Sequence, residues 1–519
     1  MSTDRPVDLP GSVPPMGASP TPTAQSQSGL FGRGLLYVVV FSLQTVAATV
    51  VSPVLAHLIG PSEFGRLASG IALYQLLMAV AVLGLDQALV IQRAEDGHSR
   101  SARALLPLSF AVALLVTGVA FATGPFWARI MGFESFSSLL VAILLWTLAG
   151  AAVQVMLSLL LAQDRLKVFT LVSALAAVGG QVFGLVLLLV GPNTAATYAW
   201  GAVISQGAAM VIALVATRPR WRGAADAQMA RRALRLGVPL ALGGISTFVL
   251  NAGDRIVVQR LLGPAEVGRY QVAYVLGSLA VMLLVFTSQA WTVRFAAIRE
   301  RPERMKLAEH SRNELYLLLM PMIAGITLVA PFALPILTPP TFRPETLTVV
   351  VFLVVLASIP VAAIGASGRE LVTLRRGRSV AISTGCAAVL NIALNFALVP
   401  AWGIAGSAAA TVLAFTLQAV LQVKLVPGPP RWPRTPPSIW VGLSIVCLLC
   451  GVSTALPQGP GWNLGRLAVA VGCLPWFVSR LMAARTGVRP RWSRLLRPRT
   501  ALRPPADPQS PDPQDEENP

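Results

Sequence analysis

Apolar runs of about 20 residues recur along this chain from Gly34 to Met482, each long enough to cross roughly 30 Å of hydrocarbon. No other feature constrains the fold as strongly. In lipid every backbone N–H and C=O must find its partner inside the protein, and an α-helix meets that demand within one segment. Only 12% of the 519 residues are charged and mean hydropathy is +0.67, whereas a soluble chain carries about 25% charged residues. The chain therefore reads as a polytopic membrane protein.

Gly, Pro and charge punctuation divides the apolar stretch into fourteen candidate spans. They lie at about 34–59, 66–91, 104–124, 138–162, 168–190, 196–217, 236–259, 270–293, 315–337, 346–368, 379–399, 404–423, 438–456 and 463–482. Alternate loops are basic. Arg93, Arg100 and Arg103 follow the second span, Arg231, Arg232 and Arg235 the sixth, and Arg299, Arg301 and Arg304 the eighth, while the intervening loops are nearly bare. By the positive-inside rule both termini are expected in the cytoplasm. The formal charge of +19 is thus a matter of topology and anionic lipid, and no nucleic acid is expected as a partner.

The nonapeptide LIGPSEFGR at 58–66 recurs as LLGPAEVGR at 261–269, with Leu58/Leu261, Gly60/Gly263, Pro61/Pro264, Glu63/Glu266, Gly65/Gly268 and Arg66/Arg269 matched. Both copies join a span to its successor, first and second in one case, seventh and eighth in the other. An even number of helices separates them, so both face the same side of the membrane. The expected fold is an all-α integral membrane protein of about 14 transmembrane helices: two six-helix lobes as a parallel repeat, plus two C-terminal helices. Its parts are a disordered arm at 1–33, an N-terminal lobe at 34–217 and a basic linker at 218–235. A C-terminal lobe at 236–423, a Pro-rich loop at 424–437, the extra helices at 438–482 and a disordered tail at 483–519 complete it.

Outer loops of no more than about 13 residues leave no room for a folded extracytoplasmic domain, and the nucleotide-binding, hydrolase and zinc motifs are missing from the sequence. The Cys447-Leu-Leu-Cys450 pair has no second pair and no nearby His, which suits small apolar fillers rather than a zinc site. A transporter rather than an enzyme is expected, with no cofactor and no metal.

Charges inside spans are costly and normally face a cavity or a partner. Asp254 and Arg255 in the seventh span and Asp86 in the second are the informative ones. One reading is a cavity between the lobes in which Arg255 and Arg294 attract an anionic headgroup, with Asp254 or Asp86 as an ion-coupling site. The other is simple pairing or snorkelling. Asn251, Gln44, Gln289, Asn391 and Asn395 are further cavity candidates, against the default of interhelical hydrogen bonding.

The turns LAHLIGPSEFGR and VQRLLGPAEVGR, the stretch GDRIVVQRLLGP at 253–264 and NIALNFALVPAWGIAGSAAATVLAF at 391–415 resemble bacterial O-antigen-type oligosaccharide flippases. These belong to the multidrug/oligosaccharidyl-lipid/polysaccharide (MOP) exporter superfamily. The resemblance covers roughly 34–423 and is weak for substrate. His57 and Asp86 depart from its pattern. It implies transfer of an undecaprenyl-pyrophosphate-linked oligosaccharide from inner to outer leaflet by alternating access, for cell-surface polysaccharide biosynthesis. Partners would be that lipid-linked oligosaccharide, anionic membrane lipids at the basic loops and tail, and glycan polymerase or glycosyltransferases. The alternative is a cation-coupled drug or metabolite antiporter of the same superfamily, which would want an aromatic, acidic cavity.

Overall fold

The computed structural model describes residues 25–96, 100–221, 227–429 and 431–486; the side chains at 25–45, 100, 286, 288–290, 292–294, 296 and 483–486 lie outside the described set. Its elements are helices throughout. The first half holds Gln25–Val82 (α1), Leu85–Asp96 (α2), Arg100–Ala122 (α3), Gly124–Ile130 (α4), Ser138–Ala162 (α5), Leu166–Ala174 (α6), Gly180–Val190 (α7) and Ala195–Thr217 (α8). Ala227–Phe248 (α9), Asp254–Leu262 (α10), Pro264–Gly277 (α11), Leu279–Ala297 (α12) and Arg301–Leu337 (α13) follow. The chain ends with Thr348–Leu356 (α14), Ser358–Thr373 (α15), Gly377–Leu425 (α16), Pro437–Ala455 (α17) and Pro460–Thr486 (α18). The helix α1 begins inside the arm expected over 1–33, and α9 begins inside the linker expected over 218–235. Most of the expected tail lies outside the described residues.

All fourteen apolar segments fall on helices, yet eleven described helices are long and apolar enough to cross a membrane, or twelve with the bent pair α11 and α12 taken as one span. Glycine accounts for the difference from the expected fourteen. Both α1 and α16 are two helices meeting at a non-helical residue, Gly60 (φ 68°, ψ 173°) and Gly403 (φ 57°, ψ −143°). Only glycine enters such regions without strain.

The repeated nonapeptide is repeated in structure. Gly263 (φ 88°, ψ 172°) matches the backbone of Gly60. The following Pro61 or Pro264 sits in the first turn of the next helix, where a missing N–H is harmless. Glu63 pairs with Arg66 at 2.7 Å and Glu266 pairs with Arg269, each three residues apart. The last matched pair explains itself by contact. A Cβ on Gly65 would fall 1.7 Å from the Pro264 carbonyl oxygen, and one on Gly268 would fall 2.1 Å from that of Pro61. The two turns thus pack against each other reciprocally, as a pseudo-twofold relation between lobes requires.

From that contact a seam of small residues runs along the lobe boundary. Ala68 packs with Val258 and Val267, Ala72 with Phe248 and Ala252, and Ala79 with Gly244. The seam ends, roughly 28 Å of helix away, at a second glycine pair. Gly84 (φ 65°) would bring a Cβ to 2.9 Å from the Gly237 Cα, and a Cβ on Gly237 would lie 2.0 Å from the Leu83 carbonyl oxygen. Small residues let membrane helices approach to backbone contact, where dispersion replaces the hydrophobic effect as the adhesive.

Candidate functional site

Among the described residues each lobe holds a cavity of its own, and a further pocket lies between the lobes. The first-lobe cavity, about 170 Å³, is lined by Tyr74, Gln154, Ser158, Ser173 and Gln206 among apolar neighbours. The second-lobe cavity is larger, about 400 Å³, within the size range of small-molecule sites. Its polar lining comes from Thr247 and Asn251 before α10, Tyr274 and Ser278 at the end of α11, and Thr384, Thr411, Gln418 and Gln422 on the two arms of α16. Among the described residues none of those lining it is acidic or basic. A third pocket, about 310 Å³, straddles the lobes beside the nonapeptide turns and is lined by Glu63, Arg66, Glu134, Gln259 and Pro264 among others.

Local backbone irregularity sets the second-lobe wall. Residues Val249–Gly253 form a π-helical turn, the kind of insertion that re-aims side chains and recurs at functional sites. It turns Asn251 to the cavity, where its Nδ2 donates to the Thr247 carbonyl at 2.8 Å. It also carries Asp254 and Arg255 into the interior, where they are 2% and 5% exposed. Arg255 Nη1 donates to Asp254 Oδ1 at 2.7 Å and to the Asn251 carbonyl at 2.6 Å, and its Nε donates to Gln271 Oε1 at 3.0 Å. The guanidinium lies 4.0 Å from the Tyr274 ring centre, while Asp254 Oδ2 accepts from the Tyr270 hydroxyl at 2.5 Å. Both oxygens of this carboxylate are engaged, so the pair is internally neutral. It braces the junction of α10 and α11 immediately behind the cavity wall.

The other expected residues are scattered. Asp86 sits half-buried in the first turn of α2, accepting at 3.3 Å from Gln87. Asn391 and Asn395 are buried between the two arms of α16. Asn395 accepts from Ser407 at 2.7 Å and donates to the Asn391 carbonyl at 2.9 Å, and Asn391 donates to Thr411 at 3.4 Å. Only Asn251 among the expected substrate residues with described side chains lines a cavity directly. The side chains of Gln44, Gln289 and Arg294 lie outside the described residues. Asn395→Ala is expected to lower stability by about 1 kcal/mol, the scale of a single interhelical hydrogen bond in a membrane; a thermal melt in detergent reads it, and a change under a tenth of that would contradict the assignment.

Sequence reading missed two features. Gln418, which donates to Thr384 at 2.9 Å, and Gln422, which accepts from Ser367 at 2.9 Å, both line the second-lobe cavity, although their four-residue spacing was as visible as that of Asn391 and Asn395. Glu370, completely buried, is held by Arg304 at 3.0 Å and Arg301 at 3.4 Å.

Comparison with known proteins matches residues 31–298 to the family model for polysaccharide biosynthesis proteins. No curated protein sequence matches. Among solved structures, the lipid II flippase MurJ in an inward closed conformation superposes with a TM-score of 0.68 at 12% identity, covering 87% of this chain and 99% of that one. An inward-facing multidrug resistance MATE family transporter of the MOP superfamily gives 0.57 at 15% identity, with 79% and 98% covered. The Vibrio cholerae MATE transporter VcmN in its bent form gives 0.51 at 12% identity, with 82% and 99% covered. At these identities the likeness is one of fold.

Proposed function

The chain belongs to the polysaccharide biosynthesis protein family, and from that membership we propose that it is a flippase for a lipid-linked oligosaccharide, an undecaprenyl-pyrophosphate glycan, moved from inner to outer leaflet. The observation that carries this reading is the lining of the second-lobe cavity. Hydroxyls and amides from Thr247, Asn251, Ser278, Thr384, Thr411, Gln418 and Gln422 face one space with no carboxylate among them. Sugar hydroxyls are recognised by such donors and acceptors. A cation-coupled drug antiporter needs an acidic residue at its site, and Asp254, behind the cavity wall, has both oxygens engaged.

Alternating access supplies the mechanism. A pyrophosphate-linked sugar cannot cross hydrocarbon bare, because a charge at bilayer depth costs at least about 2.5–3.5 kcal/mol. The two lobes meet along a seam with glycine pairs at its two ends and small residues of α1 between them, a surface across which one lobe can rock against the other. Parting of the seam at one end with closure at the other would open the cavities to each leaflet in turn, while the lipid tail stays in the bilayer. On this reading the basic loops and both termini are cytoplasmic, and the nonapeptide turns mark the outer face. The lobes are 34–217 and 236–423.

Depletion of the protein in its native cell is the test. Lipid-linked glycan should accumulate in the inner leaflet, with surface polysaccharide falling at least about tenfold and resistance to cationic drugs unchanged. Unchanged surface glycan with lost drug resistance would favour the antiporter and end this proposal.

A further inference from the structure

The pocket of about 310 Å³ beside the nonapeptide turns has walls from both lobes. One wall is a strap from the first lobe, formed by α4 and the turn after it. The Phe136 ring pins this strap down, meeting Phe121 and Trp127 edge-on at 5.4 and 6.1 Å between ring centres. The strap then reaches the second lobe at the end of α10. Gly132 (φ 83°) permits the approach, since a Cβ there would fall 2.8 Å from the Arg260 Cα. Gln259 Nε2 donates to the Gly132 carbonyl at 3.4 Å, and Arg260 Nη1 donates to that of Arg129 at 3.5 Å. Both bonds are long, so the strap rests on α10 without being locked to it.

The chemistry of the lining selects a class of ligand. Arg66 is committed, donating to Glu63 and to Glu134 at 2.7 Å each, and the second oxygen of Glu63 accepts from the Ala195 N–H at 2.8 Å. Two carboxylates against one guanidinium leave the described lining one charge negative, which disfavours a phosphate. Acceptors remain. Glu134, Ser135 and Ser137 are exposed, and Ser137 precedes α5 without a side-chain hydrogen bond. Gln259 is 3% exposed, and its Oε1 has no hydrogen-bond partner among the described residues. Phe133, Leu139, Ala196 and Pro264 give the same pocket an apolar side. A pyranose ring offers matching surfaces, with hydroxyl donors around its rim and C–H groups on its face. A bare cation fits less well, because an exposed carboxylate already paired with arginine attracts it only weakly.

We propose that this pocket is a sugar-binding site at the outer face, separate from the second-lobe cavity, with Glu134, Ser135 and Ser137 taking hydroxyls and Gln259 supplying the amide of the other lobe. Its assignment to the outer face rests on the proposed function. Ligand affinity shifts a conformational equilibrium only where the two states bind it unequally. Here the walls belong to different lobes, so the site is complete only while this end of the seam is closed. Bound sugar holds it closed, and glycan already exported slows its own carrier.

The test uses the full-length protein in phosphatidylcholine nanodiscs. Its probes are choline and the repeat-unit oligosaccharide freed by mild acid from the host's surface polysaccharide. The oligosaccharide should bind and should shield Ser135→Cys from an impermeant maleimide. Gln259→Leu and Glu134→Ala should each weaken it at least about tenfold, while Gln418→Leu, in the second-lobe cavity, should leave it unchanged. Should Gln259→Leu fail to fold, Glu134→Ala at its exposed position decides. In spheroplasts, added oligosaccharide should slow glycan export about twofold in wild type and leave Glu134→Ala unaffected. Export indifferent to the oligosaccharide in wild type overturns the closing role. Binding lost in Gln418→Leu but kept in Gln259→Leu and Glu134→Ala places the sugar in the second-lobe cavity; that result overturns the inference and leaves the flippase reading untouched. Binding of choline without the oligosaccharide overturns it as well. If depletion of the protein leaves surface glycan unchanged, the flippase reading falls, and shielding of Ser135→Cys still upholds the site.

Discussion

Gly65→Val is expected to abolish glycan export while leaving the protein folded. At this position the first atom of any side chain would lie 2.7 Å from the Gly268 nitrogen and 1.7 Å from the Pro264 carbonyl oxygen, the latter roughly 1.5–2 Å inside van der Waals separation. Both obstacles are backbone, so no rotamer change relieves them. The lobes can only part at this end. An overpacking penalty of about 3 kcal/mol on the closed arrangement shifts its population about a hundredfold. A carrier that must visit both arrangements then stops. Gly237→Val makes the matched experiment at the other end of the seam, where a Cβ would meet the Leu83 carbonyl oxygen at 2.0 Å. Cysteine-accessibility labelling should show the two variants biased in opposite senses, Gly65→Val open at the nonapeptide turns and Gly237→Val open at the linker end. Wild-type export in Gly65→Val, or the same bias in both, would refute rocking about this seam.

That prediction was half legible before any coordinates. The nonapeptide carries its own explanation at the level of sequence, because Gly60 and Gly263 must turn, Pro61 and Pro264 must start a helix, and Glu63 and Glu266 sit three residues before an arginine. What the spacing did not reveal is that Gly65 and Gly268 touch each other, since a close approach between elements 203 residues apart leaves no local periodicity. The same limit applies to the site. Asp254 and Arg255 stood out as charges within an apolar run, but their roles depend on a π turn and on Tyr270, Tyr274 and Gln271 from the next helix. Gly84 and Gly237, as isolated glycines, showed no sign of pairing. Glu370 and Arg369 fell just past the edge assigned to the tenth span, where a charged residue ordinarily marks the end of the apolar run and nothing more.

Glu370→Ala is expected to destabilise the protein by about 3–5 kcal/mol, the cost of breaking a buried ion pair from one side. Glu370 is fully enclosed, with Oε2 at 3.0 Å and Oε1 at 3.4 Å from the Arg304 guanidinium and Oε1 at 3.4 Å from Arg301 Nε. Arg304 is itself 6% exposed and cannot turn to water when its carboxylate is removed. Arg301 also donates to the Pro427 and Pro429 carbonyls, so one carboxylate ties α15, the start of α13 and the loop after α16 together. Glu370→Gln should cost less, since the amide oxygen still accepts one of these bonds. Glu370→Ala with Arg304→Met should recover part of the loss, because a dry apolar pair replaces a dry lone charge. A melt of Glu370→Ala within about a degree of wild type would dismiss the cluster as a brace.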